Sequence, residues 1–184
     1  MAFQRKNFWL FINYAKKINL DKLSTAIDDF VDVNTQQEIE NHLLGNTFAW
    51  SYCRRIVSTD VNSRSQLVHM FYNNGFEQSN CRPIMPLLAT LHACALIKIK
   101  ANLQLRTEVC YSNKPHIDHK FPNALTGIYY VNDNDGYTVV GETKVESKRG
   151  RIVIFPSDTY HYGTSSHQDR CVININYFPQ YNEY

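Results

Sequence analysis

The chain has 184 residues, of which 43% are hydrophobic and 13% aromatic, and its formal net charge is +2 at pH 7. This length suffices for one domain with a hydrophobic core, and the aromatic content is typical of a β-rich fold. Because the net charge is small, the composition excludes the strongly basic balance that is typical of proteins bound to nucleic acid.

The N-terminal segment is basic and contains one short apolar run, residues 8–12. The run is too short for the core of a signal peptide, and no stretch approaches the roughly 20 apolar residues of a membrane-spanning helix. The five cysteines form no Cys-x-x-Cys pair, which predicts reduced thiols rather than a disulfide framework or a zinc site. Cys94 and Cys171 lie in apolar runs and are expected in the core. We therefore expect a cytoplasmic protein that does not contact a membrane.

The first half of the chain predicts helices and short strands. Residues 23–31 are interpreted as a strand. Residues 34–45 predict a short helix, in which Thr35 and Glu38 have the spacing of a capping box and a glycine ends the helix. Residues 83–98 predict a second helix, because a proline would occupy its first turn. These elements precede the part of the chain in which β-strands dominate.

From about Ile97 the pattern becomes that of β-strands. Residues 97–106 alternate between apolar and polar side chains, so one face of the strand would be apolar and the other polar. The polar face comprises Lys98, Lys100, Asn102, Gln104 and Arg106. Further strands are predicted at residues 125–132, 137–140, 151–156 and 171–178. The NDNDG motif is interpreted as a turn, because it lacks the glutamate of a calcium-binding loop. Short strands separated by turns predict a barrel or a jelly roll.

The stretch NKPHIDHKF contains two histidines and an aspartate within four positions. In an extended chain, positions i and i+2 face the same side, so His116 and Asp118 would reach one ion and His119 would point away. A helix would instead pair His116 with His119. Pro115 and Pro122 flank the stretch and disfavour a helix, so the extended interpretation is preferred.

His161 is the candidate third ligand, since it follows a strong strand and a turn. Nine residues later, Arg170 stands at the head of the last strand. Two histidines and one carboxylate on one side of an ion leave the opposite positions open, which is the arrangement of non-haem Fe(II) sites. The lack of thiolate ligands favours iron over structural zinc.

The motifs HID, IYYVN, GRIVIFPSDTYHYG and RCVININY, in this order, resemble the Fe(II)- and 2-oxoglutarate-dependent dioxygenases. The resemblance is to the prolyl-hydroxylase-like branch in particular, and to its small members from marine phages. It extends over residues 98–178. The family pattern is His-x-Asp, a distal histidine, and a basic residue nine or ten positions further on. His116, Asp118, His161 and Arg170 match this pattern.

The resemblance implies a fold that is mainly β with N-terminal helices, namely a double-stranded β-helix or cupin-like jelly roll. One oxygenase domain would span residues 1–184, with residues 1–96 as support and residues 97–180 as the jelly-roll core. Fe(II) would be held by the His-x-Asp pair and the distal histidine. It would lie at the mouth of the jelly roll.

The resemblance also implies where 2-oxoglutarate would bind. Its far carboxylate would pair with Arg170, whose planar fork suits a carboxylate, and with Tyr130. Thr126 and Ile128 would face inward with Tyr130. Further candidates for this site are Asn102, Arg106, Asn174 and Asn176. Candidates for contacts around the metal or the substrate are Tyr111, His119 and His167.

The implied reaction couples the oxidative decarboxylation of 2-oxoglutarate by O2 to the hydroxylation of a C–H bond. The substrate would be a protein side chain, such as proline, or a small molecule, and ascorbate is a candidate reductant. Asp118 favours hydroxylation over halogenation, because halogenases of this superfamily carry a small residue at the position of the carboxylate.

Two alternatives remain open at this stage. An AlkB-like nucleic-acid demethylase would carry a second arginine six positions after Arg170, where this chain has Asn176. A non-catalytic, cupin-like metal-binding domain would keep the fold without turnover. The expected partners are 2-oxoglutarate and a peptide or small molecule, without a membrane or nucleic acid, in the host cytoplasm if the protein is encoded by a phage.

Overall fold

The computed structural model describes residues 24–56 and 63–180. These residues form eleven β-strands, two α-helices and one short 3-10 helix at Arg82–Ile84. The helices are α1 (Val33–Leu43) and α2 (Met85–Leu91). The strands are β1 (Thr25–Ile27), β2 (Ser51–Cys53), β3 (Gln66–Asn73), β4 (Phe76–Glu77), β5 (Ala93–Gln104), β6 (Leu125–Tyr130), β7 (Tyr137–Val140), β8 (Thr143–Glu146), β9 (Ile152–Pro156), β10 (His161–Gly163) and β11 (Arg170–Pro179). Neither of the described α-helices has the length and apolar character needed to cross a membrane.

The strands form two antiparallel sheets. The large sheet has eight strands in the order β1-β9-β6-β11-β5-β3-β2, with β4 paired to β3. The small sheet has the order β10-β7-β8. The last strand of the chain, β11, lies between β5 and β6. The described part of the chain is therefore mainly β, as the sequence predicts for a jelly roll.

The two faces of the large sheet have different environments. One face packs against α1 and α2 in the main apolar core, which includes Leu43, Leu87, Ile99, Ile173 and Ile175. The other face packs against the small sheet through a second apolar cluster. This cluster comprises Ile128, Tyr130, Val140, Val145, Val153, Phe155 and Val172. The polar side chains on this second face therefore lie between the two sheets.

Helix α1 begins one residue before the predicted start, and its N-cap lies three residues before the predicted cap. Its N-cap is Asp32, whose carboxylate accepts hydrogen bonds from the amide (3.0 Å) and the hydroxyl (2.6 Å) of Thr35. The predicted capping box, with Thr35 as the cap, is therefore wrong. An aspartate two residues before the predicted start satisfies the free amides of the first turn instead.

The second predicted helix, residues 83–98, is too long. Helix α2 ends at Leu91, His92 has a positive φ of 49°, and β5 begins at Ala93. Pairing with β11 extends β5 back to Ala93, into the residues predicted as helix, and β3 pairs with β5 from Lys98 onward. Tertiary pairing here overrides the local preference for a helix.

Three other predictions concern the N-terminal region and the cysteines. Of the strand predicted in residues 23–31, only Thr25–Ile27 forms a strand, β1, which lies at one edge of the large sheet, and residues 28–31 form bends. Cys171 is buried as expected, whereas Cys94 is exposed, which corrects the prediction that it lies in the core. Cys94 belongs to β5 rather than to the predicted helix, and its side chain faces solvent on this strand. The basic N-terminal segment lies outside the described residues.

Ile173 allows a test of the packing on the helical side of the sheet. Its side chain is fully buried in the main core, on the face of β11 opposite to the polar side chains. Ile173→Ala is expected to lower the free energy of unfolding by about 2–5 kcal/mol, because it leaves a cavity. Urea unfolding monitored by circular dichroism measures this change.

The matched control for Ile173→Ala is Val33→Ala on α1, where the valine side chain is 61% exposed. This change should alter stability by no more than about 0.5 kcal/mol. Equal effects of the two substitutions would contradict the assignment of Ile173 to the core.

Candidate metal centre and co-substrate pocket

Backbone pairing fixes the relative positions of the two candidate histidines. His116 follows β5 in an extended loop, and His161 is the first residue of β10. The amide of each donates to the carbonyl of the other, at 3.0 and 2.9 Å. Their ring centroids are 4.5 Å apart. The stretch is thus extended rather than helical, as the flanking prolines predict.

Asp118 completes a group of three potential ligands. Its carboxylate oxygens lie 3.9 Å from Nε2 of His116 and 3.9 Å from Nε2 of His161. The three ligand atoms all lie within 4.8 Å of one another. Nitrogen and oxygen ligands bind a divalent ion at about 2 Å, so atoms that share one ion lie within about 4 Å of each other. Only a small movement would bring all three atoms onto one ion.

The hydrogen bonds of the two histidines involve Nδ1 and leave Nε2 free to bind an ion. Nδ1 of His161 lies 3.1 Å from the carbonyl of Thr159, and Nδ1 of His116 lies 3.3 Å from the carbonyl of Lys114. If each Nδ1–H donates to its carbonyl, each Nε2 carries a lone pair directed toward Asp118. Nε2 of His161 is buried and has no hydrogen-bond partner in the described structure.

Both titratable partners of His161 favour the ligating protonation state. Burial lowers the pKa of His116, and the neighbouring His161 lowers it further, so the imidazole stays neutral. Burial acts to raise the pKa of Asp118, but His161 and a hydrogen bond from Asn176 outweigh this effect, so the pKa is lowered. A neutral imidazole and an ionised carboxylate are the forms that bind a metal ion. The buried, unpaired Nε2 of His161 and this donor set therefore fit a divalent cation.

Two neighbours orient the carboxylate of Asp118. Nδ2 of Asn176 donates to Oδ2 at 2.8 Å, and Oγ1 of Thr126 donates to the same oxygen at 3.2 Å. Asn176 also donates to Oγ1 of Thr126 at 2.8 Å. These bonds leave Oδ1 without a hydrogen-bond donor from the described residues. Asn176, predicted to line the co-substrate site, thus contacts the candidate metal ligand directly.

One cavity between the two sheets contains the candidate ligands and Arg170. The large sheet contributes cavity-facing side chains from β5, β6 and β11, and the small sheet contributes residues from β7 and β10. Of the predicted site residues, the cavity is lined by His116, Asp118, His161, Arg170, Asn102, Asn174 and Asn176. The structure therefore brings these seven predicted residues to one cavity.

Arg170 is almost completely buried, with 5% of its surface exposed. Its Nε donates to Oγ of Ser147 at 3.3 Å, and its Nη2 donates to Oγ1 of Thr138 at 2.9 Å. No carboxylate within residues 24–56 and 63–180 forms an ion pair with it. Burial lowers the pKa of the guanidinium, because the charged form loses hydration. A buried cation without an acidic partner is costly, and an anionic ligand would compensate it.

Two glycines make room for the guanidinium. A Cβ on Gly163 would lie 3.2 Å from Nη1 of Arg170, and a Cβ on Gly136 would lie 2.8 Å from its Cδ. Larger residues at these positions would displace the arginine. The small sheet therefore supplies hydroxyls and space for Arg170, while β11 supplies its backbone.

Tyr130, predicted to bind the far carboxylate, does not line the cavity surface. It is fully buried, and the guanidinium carbon of Arg170 lies 5.8 Å from its ring centroid. Its hydroxyl donates to the carbonyl of Val145 at 3.5 Å. Burial raises the pKa of Tyr130 despite the opposing effects of Arg170 and a hydrogen bond with Thr138. The tyrosine is therefore a neutral hydrogen-bond donor beside the guanidinium.

Several weaker candidates lie outside the cavity. Arg106 is exposed beyond the end of β5, where its amide donates to Asp169. Tyr111 lies under the guanidinium of Arg64, at 4.1 Å, and lines a separate surface groove. His119 stacks on Phe121 with an interplanar angle of 9°. None of these three residues lines the cavity that holds the candidate ligands.

His167 belongs to a different group of potential ligands at the surface. Its Nδ1 contacts Oδ2 of Asp135, and Sγ of Cys110 lies 3.5 Å from Nδ1. All three side chains are exposed. Asp135 also accepts hydrogen bonds from Ser166 and from the amide of His167. This carboxylate belongs to the NDNDG turn, which therefore serves to anchor the loop before β11.

Two cavity residues, Lys98 and Lys100, were not predicted as site residues. The sequence contained a signal for them, because they share the polar face of β5 with Asn102. The hydroxyls of Ser147 and Thr138 that hold Arg170 were also missed. No local motif marks these hydroxyls, because they lie on the small sheet, far from Arg170 in the sequence.

No model of a known protein family matches the sequence, and no curated protein matches it. Solved structures share its fold. A prolyl hydroxylase from Trichoplax adhaerens, in complex with a peptide from the oxygen degradation domain of hypoxia inducible factor, has 16% sequence identity and a TM-score of 0.67, covering 96% of this chain and 92% of its own. An oxidoreductase of the 2OG-Fe(II) oxygenase family from Burkholderia pseudomallei has 9% identity and a TM-score of 0.63, covering 90% of each chain.

A Pseudomonas putida prolyl-4-hydroxylase has 11% identity and a TM-score of 0.59, covering 91% of this chain and 99% of its own. At such low identity, these similarities concern the fold alone. They confirm the expected mainly β architecture, which is that of the 2-oxoglutarate and Fe(II) oxygenases.

Asn176 allows a test of the hydrogen bonds that orient Asp118. Asn176→Ala removes the bond of 2.8 Å to Oδ2, and the affinity for Mn(II), used in place of Fe(II), is expected to fall by about 10–100-fold. Titration of Mn(II) followed by electron paramagnetic resonance measures this affinity.

The control for Asn176→Ala is Asn174→Ala, two residues earlier on the same cavity face of β11. Asn174 has no hydrogen bond to Asp118, so the affinity for Mn(II) should change little. An equal loss in both variants would argue against a specific role for Asn176.

Proposed function

We propose that this protein is an Fe(II)- and 2-oxoglutarate-dependent dioxygenase that hydroxylates a C–H bond. One observation carries the proposal. The cavity that contains three converging ligand atoms also contains a buried guanidinium that has no acidic partner in the part of the chain that the structure describes. A metal site alone would not require the arginine, and a carboxylate site alone would not require the three ligands. 2-Oxoglutarate satisfies both features, because it has one carboxylate to pair with the guanidinium and a keto acid group to bind a metal ion.

His116, Asp118 and His161 would hold the Fe(II) ion. When bound, this ion supplies the activation of O2 that oxidises 2-oxoglutarate to succinate and CO2 and adds one oxygen atom to the substrate. The chain itself holds and orients the reactants. Thr126 and Asn176 fix the carboxylate of Asp118, and the bridge between β10 and the loop before β6 fixes the histidines.

Arg170 would bind the far carboxylate of 2-oxoglutarate. Its Nε and Nη2 each donate to a protein hydroxyl, while Nη1 has no protein acceptor among the described residues and is available to a ligand. Tyr130 would turn its hydroxyl from the carbonyl of Val145 to donate to the same carboxylate, since burial keeps it protonated beside the guanidinium. Asn102 and Asn174 would complete the polar lining.

The substrate we propose is a peptide or small molecule, with prolyl hydroxylation as the first reaction to test. The support comes from the fold, which this chain shares with prolyl hydroxylases and with enzymes that act on small molecules. The epimerase SnoN, for example, was solved with Fe3+, α-ketoglutarate and a nogalamycin derivative, with a TM-score of 0.63 to this chain. Asp118 supports hydroxylation rather than halogenation, because its carboxylate occupies a metal-ligand position.

The environment of Asn176 speaks against the demethylase alternative. A repair demethylase would carry an arginine here for a second contact to the co-substrate. In this chain, the amide of Asn176 is committed to Asp118 and Thr126. A non-catalytic, cupin-like domain would not explain why the charge of Arg170 is buried.

We further propose that residues 1–184 form one oxygenase domain. It would act in the cytoplasm, of an infected host if a phage encodes it, with ascorbate as a reductant.

His161 allows the decisive test of catalysis. The wild-type protein with Fe(II), O2 and 2-oxoglutarate is expected to form succinate even without a substrate, at a slow uncoupled rate. His161→Ala removes a metal ligand and should abolish this turnover. Succinate is measured by mass spectrometry, with and without Fe(II). His42→Ala, which changes an exposed histidine of α1, is the control and should retain the wild-type rate. An active His161→Ala variant would refute the proposed function.

Arg170 allows a separate test of co-substrate binding. Arg170→Met is expected to weaken the binding of 2-oxoglutarate by about 2–5 kcal/mol, because one partner of a buried charge pair is lost. Arg170→Lys keeps the charge but loses the planar fork, so its affinity should lie between those of the wild type and Arg170→Met. Isothermal titration of 2-oxoglutarate into the Zn(II)-loaded proteins measures these affinities. Unchanged affinity in Arg170→Met would place the co-substrate elsewhere.

The substrate class is tested by offering proline-containing peptides and methylated single-stranded DNA to the active protein. Products heavier by one oxygen atom are expected for the peptides, and demethylated products would favour the alternative reaction.

A further inference from the structure

Two lysines of β5 face the cavity that holds the candidate metal ligands. Lys98 and Lys100 are half-buried and line the cavity together with Asp118. In residues 24–56 and 63–180, neither ammonium group has an ion pair or hydrogen bond. Lysine side chains usually extend to water or pair with an acid. Two that turn into one polar cavity indicate an anion that binds there.

The lysines lie near the metal end of the cavity. In the pairing of β5 with β11, Lys98 lies opposite Asn176, the residue that donates to Asp118. Gln104, four residues beyond Lys100 on β5, lies opposite Arg170. Four residues of a strand span roughly 13 Å. The backbones of the two lysines therefore lie at a different position along the cavity from that of Arg170. Their ammonium groups would contact a different group of a bound ligand.

The charges of the cavity show that 2-oxoglutarate alone leaves it positive. Among the described residues, its lining contains three cationic side chains, Arg170, Lys98 and Lys100, and one carboxylate, Asp118. A divalent metal ion would add two positive charges, and the dianion of 2-oxoglutarate would cancel two. The loaded cavity would keep an excess of two positive charges. Unpaired charges in a partly buried site are unfavourable, so a further anion is expected in the complete complex.

We propose that Lys98 and Lys100 bind a carboxylate of the substrate, next to the C–H bond that is hydroxylated. This inference rests on the proposed function, since it takes Arg170 to be occupied by 2-oxoglutarate. The carboxylate belongs to a small organic acid, such as a free amino acid, or to an acidic side chain of a peptide. Because the lysines lie beside Asp118, they would hold the anionic group close to the metal and so select which carbon is oxidised.

The binding test uses protein that is saturated with Zn(II) and 2-oxoglutarate, so that the metal site and Arg170 are occupied without turnover. The protein carries lysine labelled with 13C at Cε, and acetate is the probe. Acetate is expected to shift the signals of Lys98 and Lys100 in a saturable manner, whereas acetamide, which has a similar shape but no charge, should not. Single Lys98→Met and Lys100→Met variants assign the two signals.

Because the double variant Lys98→Met/Lys100→Met lacks both reporting lysines, its acetate affinity is measured, alongside that of the wild type, from the line width of the acetate methyl signal. It should bind acetate about tenfold or more weakly, because hydrogen bonds to charged groups are lost. Methionine retains the apolar stem, so folding should be preserved, and a glutamine pair provides a second variant. Lys144→Met is the control, since Lys144 is exposed on β8 and pairs with Glu146. The proposal is overturned if acetate causes no saturable shift, or if the double variant binds acetate as well as the wild type.

A second measurement separates the substrate from the co-substrate. The double variant should retain the wild-type affinity for 2-oxoglutarate in the titration described for Arg170. If it loses this affinity as Arg170→Met does, the lysines belong to the co-substrate site and the proposal is wrong. If the wild-type protein itself does not bind 2-oxoglutarate, the proposed function fails, and this result is distinct from a failure of the acetate test.

The source of the carboxylate is identified with the active protein. Pools of free acidic amino acids and of acidic peptides are compared with pools in which amides replace the acids. Faster succinate formation with either acidic pool supports the proposal and names the source. Faster formation with the amide pools would overturn it.

Discussion

The alternation of side chains along β11 is the constraint on which both the core and the candidate site depend. This strand lies between β5 and β6 in the large sheet, so both of its edges are paired, and its two faces pack in the two apolar clusters. Into the apolar core point Cys171, Ile173, Ile175 and Tyr177. Into the cavity point Arg170, Val172, Asn174 and Asn176. A shift of the register by one residue would exchange the two sets, burying a guanidinium among aliphatic side chains. The burial of the core therefore fixes the position of the polar residues.

The two buried charges of the cavity are stabilised in different ways. Asp118 receives hydrogen bonds from Asn176 and Thr126, so its ionised form is favoured even before a metal ion binds. Arg170 has only the hydroxyls of Ser147 and Thr138, and burial works against its charge. The carboxylate is thus held ready as a ligand, whereas the guanidinium remains short of a counter-ion. Ligands that supply the missing charges would also stabilise the fold, because they bind only to the folded state.

Features that depend on the local alternation of side chains or on the order of motifs were predictable from the sequence. Features that depend on which distant segments pair with each other were not. The alternation of residues 97–106 placed Asn102 correctly, and the prolines around His116 predicted its extended conformation. The helix predicted in residues 83–98 failed because β11 pairs with β5 from Ala93 onward, and β3 joins this pairing from Lys98. The partners of Arg170 were not predictable, since they come from the small sheet, and their distance in the sequence gives no signal. Lys98 and Lys100 were visible on the polar face of β5, but a solvated face was an equally simple interpretation until the small sheet was seen to cover it.

The low sequence identity to structures of the same fold follows from how few positions the fold constrains. The prolyl hydroxylase from Trichoplax adhaerens superposes with a TM-score of 0.67 at 16% identity. Strand register requires only that apolar and polar side chains alternate, and many residues meet this requirement. The side chains on the cavity face of β5 can also vary in sequence, because replacing them does not alter the apolar side of the same strand. In the proposed enzyme, substrate choice can therefore vary on this wall while the candidate metal ligands and the core stay fixed. For this reason the proposal assigns substrate selection to Lys98 and Lys100 rather than to the shared fold.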